Sequence, residues 1–195
     1  GLGLTLPLYA SGPRSVGWWA MFITMLGDMT AFLSLVFAYF FFWTIHDDFP
    51  PEPSSGPGLF WPLLGLALLL AAWLLTLLAR HWNAAGSAAA LRWALLAAFV
   101  LACLGGTALL AGPWLTGLDP TANVYPAVVW ILLIWTVLHV GAGVVMHLYC
   151  IAGSLAGRLT PAYDIDIRNV ALYWHFLAAT ALITVAVVAL FPMVA

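Results

Sequence analysis

Five stretches of this chain are each apolar over about the 20 residues that a helix needs, at about 1.5 Å per residue, to cross the hydrocarbon of a bilayer. They cover residues 16–45, 59–79, 91–110, 124–151 and 170–194. The segments between them break helices on chemical grounds: residues 46–58 (HDDFPPEPSSGPG) and 112–123 (GPWLTGLDPTAN) concentrate Pro and Gly. Those residues forfeit an amide donor or cost backbone entropy in a helix. Only 6% of the 195 residues are charged, against roughly a quarter in a soluble domain, and the mean hydropathy is +1.08. A water-soluble fold is excluded, because too few polar atoms are present to cover its surface. The expected fold is all-α: one integral membrane bundle of five transmembrane helices spanning residues 1–195. The stretches at 16–45 and 124–151 exceed the bilayer thickness, so they are expected to tilt or project.

Charge sorts the connecting segments. Arg14, Arg80, Arg92, Arg158 and Arg168 fall on one side when the spans alternate, and Asp47, Asp48, Glu52 and Asp119 fall on the other. The positive-inside rule then places the N-terminus inside and the C-terminus outside. With no Lys, five Arg and a net charge of −2, no basic patch can form, which excludes nucleic acid as a partner. Trp18, Trp19, Trp43, Trp61, Trp82, Trp93 and Trp114 lie near the expected interfaces, where an indole keeps its N–H wet and its ring in lipid. Cys103 and Cys150 sit in apolar runs without ligand or disulfide spacing and read as packing residues. The chain begins at Gly1, and residues 1–15 lack the basic-then-apolar form of a cleavable signal, which points to a trimmed start or a longer precursor.

The second and third stretches, such as LLGLALLLAAWLLTLLA at 63–79, read as lipid-facing or packing helices. Neither an internal repeat nor a pair of Gly/Pro-interrupted helices marks a secondary transporter, which disfavours that class. The polar residues inside the spans therefore carry the functional question. Asp28 lies about 18 Å along the first span, near the bilayer middle, where an Asp costs roughly 2.5 to 3.5 kcal/mol. It reads either as neutral structural glue between helices or as a proton-linked carboxyl. His139 and His147 stand about 12 Å apart along the fourth span at helical rise. Either is placed to partner Asp28. His147 and His175 come out at similar depth, the arrangement that two axial ligands of a b-type haem require, although an interhelical hydrogen bond is the commoner role. Dispersed histidines of this kind do not make a zinc site. Residues 157–169 (GRLTPAYDIDIRN) gather Arg158, Asp164, Asp166 and Arg168, which read as a solvated turn, or as a docking surface or a proton-collecting rim for a partner subunit.

Three segments resemble subunit III of the haem-copper terminal oxidases. The first is Phe22-Ile-Thr-Met-Leu-Gly-Asp28-Met-Thr-Ala-Phe32 with Phe37-Ala-Tyr-Phe40, similar to the family's third helix. The second is Leu138-His139-Val140 with Gly143, similar to its His-Val-x-x-Gly element. The third, and the most specific, is Tyr173-Trp174-His175-Phe176 at the opening of the last helix. They occur in the family's order, and the resemblance covers the chain from about Gly17 onward.

The resemblance implies a non-catalytic subunit that binds no redox cofactor of its own, packs against oxidase subunit I beside subunit II, holds structural phospholipids and supports proton uptake. Haem and copper would then lie in the partner subunits, in a bacterial cytoplasmic membrane. Asp28 takes the place of the family's intramembrane Glu, one methylene shorter, with His139 as its neighbour. Tyr173, Trp174, His175 and Phe176 become an inner-surface element. Leu177 or Ala178 stands where the family carries an Asp. Five spans are fewer than the seven of the long form, but the family includes five-helix members whose first two helices are fused to subunit I. The same five-helix form includes accessory proteins of nitric oxide reductases. A b-type cytochrome using His147 and His175, and a proton-coupled transporter using Asp28, are the alternatives from other classes.

Overall fold

The computed structural model describes residues 12–51 and 56–193. Residues 1–11, Glu52 and Val194, which carry part of the reading above, lie outside them. Apolar runs become helices because a backbone in lipid must satisfy its own amides and carbonyls. Five long helices result: α1 (Val16–Ile45), α2 (Phe60–Ala84), α3 (Ala88–Leu115), α4 (Val124–Leu155) and α5 (Ile165–Val185). A π-type turn (Ala186–Leu190) and a short 3-10 turn (Phe191–Met193) continue α5, so that the last apolar span runs Ile165–Met193. All five are long and apolar enough to cross a membrane, and no strand occurs among the described residues.

The helices overrun the apolar stretches at several ends. α2 continues through Arg80 to Ala84, α3 through Gly112 and Pro113 to Leu115, and α4 to Leu155, all beyond the ends expected from hydropathy. The reason is that backbone hydrogen bonding, not hydropathy, ends a helix. Gly86, Gly117 and Gly157 each take a φ near +70° one residue past the cap. The next amide then reaches back to the carbonyl five residues earlier: Ser87 to Trp82, Leu118 to Pro113 and Arg158 to Gly153, each at 2.9 Å. At the other ends, Ser15 Oγ accepts from Trp18 N–H at 3.0 Å and Asn123 Oδ1 accepts from Tyr125 N–H at 3.0 Å.

The last helix also begins early, at Ile165 rather than near residue 170. Asp166 and Arg168, expected in a loop, are therefore helical, and Asp164 is the N-cap residue. Arg168 pairs with Asp164 four residues back, which supports the added turn. Of the four expected loop charges, only Arg158 and Asp164 remain outside a helix.

Consecutive helices run antiparallel, and α2, α3, α4 and α5 form a closed group with α5 against both α2 and α4. Lipid gives no hydrophobic drive between helices, so close van der Waals approach between small residues holds them together. At the α2–α3 seam a Cβ on Gly105 would stand 2.9 Å from Leu69 Cγ and 3.1 Å from the Gly65 carbonyl oxygen. Only glycine fits there. α1 leans on α4 and α5 and is the least covered span, 11% buried over its most apolar window against 56% for α5. Tyr39 and Phe32 anchor it: Tyr39 packs among Phe49, Tyr125 and Phe191, and Phe32 lies 4.8 Å from the Trp135 ring. This topology gathers Arg14, Arg80, Arg92, Arg158 and Arg168 at one end of the bundle. Arg92 is tied there to α4 through Ser154, and Asn83 to the Thr160 carbonyl.

Candidate functional site where α1 meets α4 and α5

Most polar side chains of α1 satisfy themselves. Thr24 donates to the Ala20 carbonyl, Thr30 to Leu26 and Ser34 to Thr30, so their hydroxyls cost little in lipid. Asp28 has no such option and needs another helix. That helix is α4: His139 Nε2 stands 3.5 Å from Asp28 Oδ2, with the side chains 18% and 39% exposed. The imidazole is fixed from behind. His139 Nδ1 lies 2.8 Å from the Trp135 carbonyl, and its ring stacks on the Trp135 ring at 3.8 Å. A carbonyl only accepts, so Nδ1 carries a proton and Nε2 of the neutral ring presents a lone pair. A lone pair facing a carboxylate oxygen repels it. The contact is attractive only when one proton lies between the two, as a carboxylic acid donating to imidazole or as an imidazolium donating to carboxylate.

α5 completes the site. Tyr173 Oη donates to the His139 carbonyl at 2.9 Å, and the Phe176 ring lies 6.0 Å from that of His139. A groove of about 500 Å³ runs along this contact, lined by Thr24, Asp28, His139, Ala142, Met146 and Tyr173. The arrangement can hold one proton at a groove on the outside of the bundle. It supplies no nucleophile activated by a base, and among the described residues no three His, Cys, Asp or Glu side chains come together as a metal centre requires.

His147 does not take part, although its depth allowed it. It faces the interior, fully buried, with Nε2 at 2.9 Å from Thr76 Oγ1 and its ring stacked on Trp174 at 4.7 Å and 7°. Thr76 spends its own proton on the Ala72 carbonyl at 2.8 Å, so His147 Nε2–H must be the donor. Trp174 reaches this position because residue 143 is glycine; a Cβ there would lie 3.0 Å from its Cζ2. His175 points elsewhere and accepts from Trp73 Nε1–H at 3.0 Å. His147 has one nitrogen committed and one ring face covered by Trp174, so the surroundings do not suit a haem held between His147 and His175.

The Tyr173-Trp174-His175-Phe176 element does not open its helix. Because α5 begins at Ile165, these residues stand in its third and fourth turns, and Tyr173, Trp174 and Phe176 are buried. His175 alone of the four is exposed. Cys150 is buried as a packing residue, whereas Cys103 is exposed on the bundle's outer surface.

Sequence reasoning missed Thr76, Trp73 and Trp135, the partners of His147, His175 and His139. Thr76 and Trp73 interrupt the aliphatic run at 63–79, and that interruption was the available signal. Trp135 was visible only as the residue four before His139, the spacing at which a histidine ring meets a carbonyl of its own helix. No family model matches the chain, and no curated protein matches it.

Proposed function

We propose that this chain is a non-catalytic subunit III of a proton-pumping haem-copper terminal oxidase in a bacterial cytoplasmic membrane. In that role it steadies the catalytic subunit I, holds phospholipid and supports proton uptake. One observation carries the reading: three sequence segments that separately resemble the family meet at a single contact. Asp28 comes from the first, His139 from the second, and Tyr173 and Phe176 from the third. A polar contact at mid-membrane depth costs free energy unless sheltered, so its assembly from three distant segments favours a site over incidental packing.

On this reading the chain binds no redox cofactor, and haem and copper belong to subunits I and II. The Asp28–His139 pair holds a proton at a groove that the isolated bundle leaves open, and the arginine-bearing end, with the N-terminus, faces the cytoplasm. The experiment is Asp28→Ala in the assembled oxidase. Haem content is expected to stay unchanged while proton uptake slows or the working life of the enzyme shortens. Loss of haem, or full proton uptake with an unchanged working life, contradicts the proposal.

A further inference from the structure

The groove beside Asp28 does not end at that residue. A second cavity, of about 300 Å³, follows it toward the arginine-bearing end of the bundle and shares Met21 and Met146 with it. Together they make one trough between α1 and α4 that reaches the first turn of α5. The α1 face beside it is built of small residues: Gly17, Ala20, Thr24, Gly27 and Ala31 alternate steps of three and four, and all five are exposed. A Cβ on Gly27 would meet nothing within 4 Å. Steps that average 3.5 keep one face toward a second helix in a left-handed pair, and small residues let its backbone come close. Along the α4 side Leu138, Val145 and Tyr149 are each more than half exposed. The trough therefore has the shape of a seat for one helix.

The cavity at its end adds a charge requirement. Asp166 and Asn169 line it beside Tyr149. Asp166 makes no ion pair among the described residues, and Asn169 Oδ1 is buried without a hydrogen-bond partner. An acceptor left in that state costs about 1 to 3 kcal/mol. No Arg or His of this chain lines the cavity among the described residues. A carboxylate, an amide oxygen and the face of a phenol ring together suit a cation. At this level of a membrane the cation to hand is the Arg or Lys that ends a neighbouring span, because the positive-inside rule concentrates such residues on this side. We infer that the trough seats one spanning helix of a partner protein, whose terminal Arg or Lys enters the cavity and pairs with Asp166 and Asn169 Oδ1. The inference rests on the partner-subunit reading for the existence of that helix, and adds where it lies and which groups hold it.

The test uses the full chain in its own membranes, with a small diazirine side chain placed at Val145, which lines the cavity, or at Leu104, which is exposed on α3. Gentle solubilisation and irradiation are followed by mass spectrometry of the adducts. The Val145 adduct is expected on a protein segment within two helical turns of an Arg or Lys that ends an apolar span, and Leu104 is expected to give none to that segment. Asp166→Asn should lower the Val145 adduct about two- to five-fold, the effect of one ion pair at a partly exposed site, and Asp166→Glu should keep it. Asp166→Arg should lower it further, and an acidic residue in place of the partner's cation should then restore it. An adduct to lipid alone, or an unchanged yield in Asp166→Asn, overturns the inference, and spares the oxidase reading if haem-bearing subunits are recovered with the chain. An Asp166-dependent adduct on a protein outside any haem-bearing complex supports the inference and contradicts the oxidase reading.

Discussion

His139 Nε2 faces Asp28 Oδ2 at 3.5 Å while the Trp135 carbonyl holds Nδ1 of the same ring. That backing contact fixes the tautomer, so the two groups attract only by sharing one proton. An acid retained here is poorly explained by stability. Interhelical hydrogen bonds in membranes average about 0.6 kcal/mol, and a central Asp costs roughly 2.5 to 3.5 kcal/mol.

Asp28→Leu is accordingly expected to leave the isolated chain as stable as wild type, or more stable, by up to about 2 kcal/mol. Unfolding of the purified chain by increasing anionic detergent measures this. A loss of several kcal/mol would show that the carboxyl is structural glue and remove the argument for a proton-linked role.

The buried partner of His147 behaves in the opposite way. Thr76→Val leaves the Nε2–H of a fully buried imidazole without an acceptor, a loss of about 1 to 3 kcal/mol. Adding His147→Phe removes the orphaned donor and should restore most of that loss. The same unfolding assay reads both variants. If the double variant is as unstable as the single one, the Thr76–His147 bond is not the source of the effect.

Where backbones nearly touch, one methyl group decides. Gly105→Ala would place a Cβ against Leu69 and the Gly65 carbonyl, forcing α2 and α3 apart at a cost of about 1 to 3 kcal/mol. Gly27→Ala, on α1, meets nothing within 4 Å and should leave the isolated chain unchanged. Equal effects from the two substitutions would contradict the packing described for the α2–α3 seam.

These contrasts also show what could be read beforehand. Five spans were legible because lipid demands long apolar runs, and the runs of α1 and α4 began where their helices begin. Helix ends were not, because Arg80 to Ala84 and Gly112 to Leu115 are polar or Gly/Pro-containing yet remain inside a hydrogen-bonded ladder. Gly86, Gly117 and Gly157 were the better end signals. Depth alone admitted both His139 and His147 as partners of Asp28. The choice between them depends on how α4 is rotated about its axis, which is set by packing such as that of Trp174 against Gly143 and was not written in either histidine's local sequence. The Trp73–His175 and Thr76–His147 bonds join α2 to residues far along the chain, and no periodicity announces them.

Outside the spans, one loop carries a pH dependence. Asp119 Oδ1 accepts from the Thr121 N–H at 2.8 Å and from its hydroxyl at 2.7 Å, which holds the carboxyl below its ordinary value of 3.8. A depressed folded value means that the bonds stabilise the turn at neutral pH and above 3.8, and that this is lost as pH falls through the folded value. Protection of the Thr121 amide, corrected for intrinsic exchange, should therefore drop in acid, and Asp119→Ala should show low protection at every pH. Protection that stays constant into strong acid contradicts the turn.

The central claim is that this bundle works beside a haem-bearing partner. Affinity purification of the chain from gently solubilised membranes, followed by identification of what remains attached and a visible spectrum, tests it most directly. The account predicts that haem- and copper-containing oxidase subunits come with it, and that the chain separated from them shows no Soret band. Recovery of the chain alone, or of a Soret band that stays with it after separation, would contradict the account.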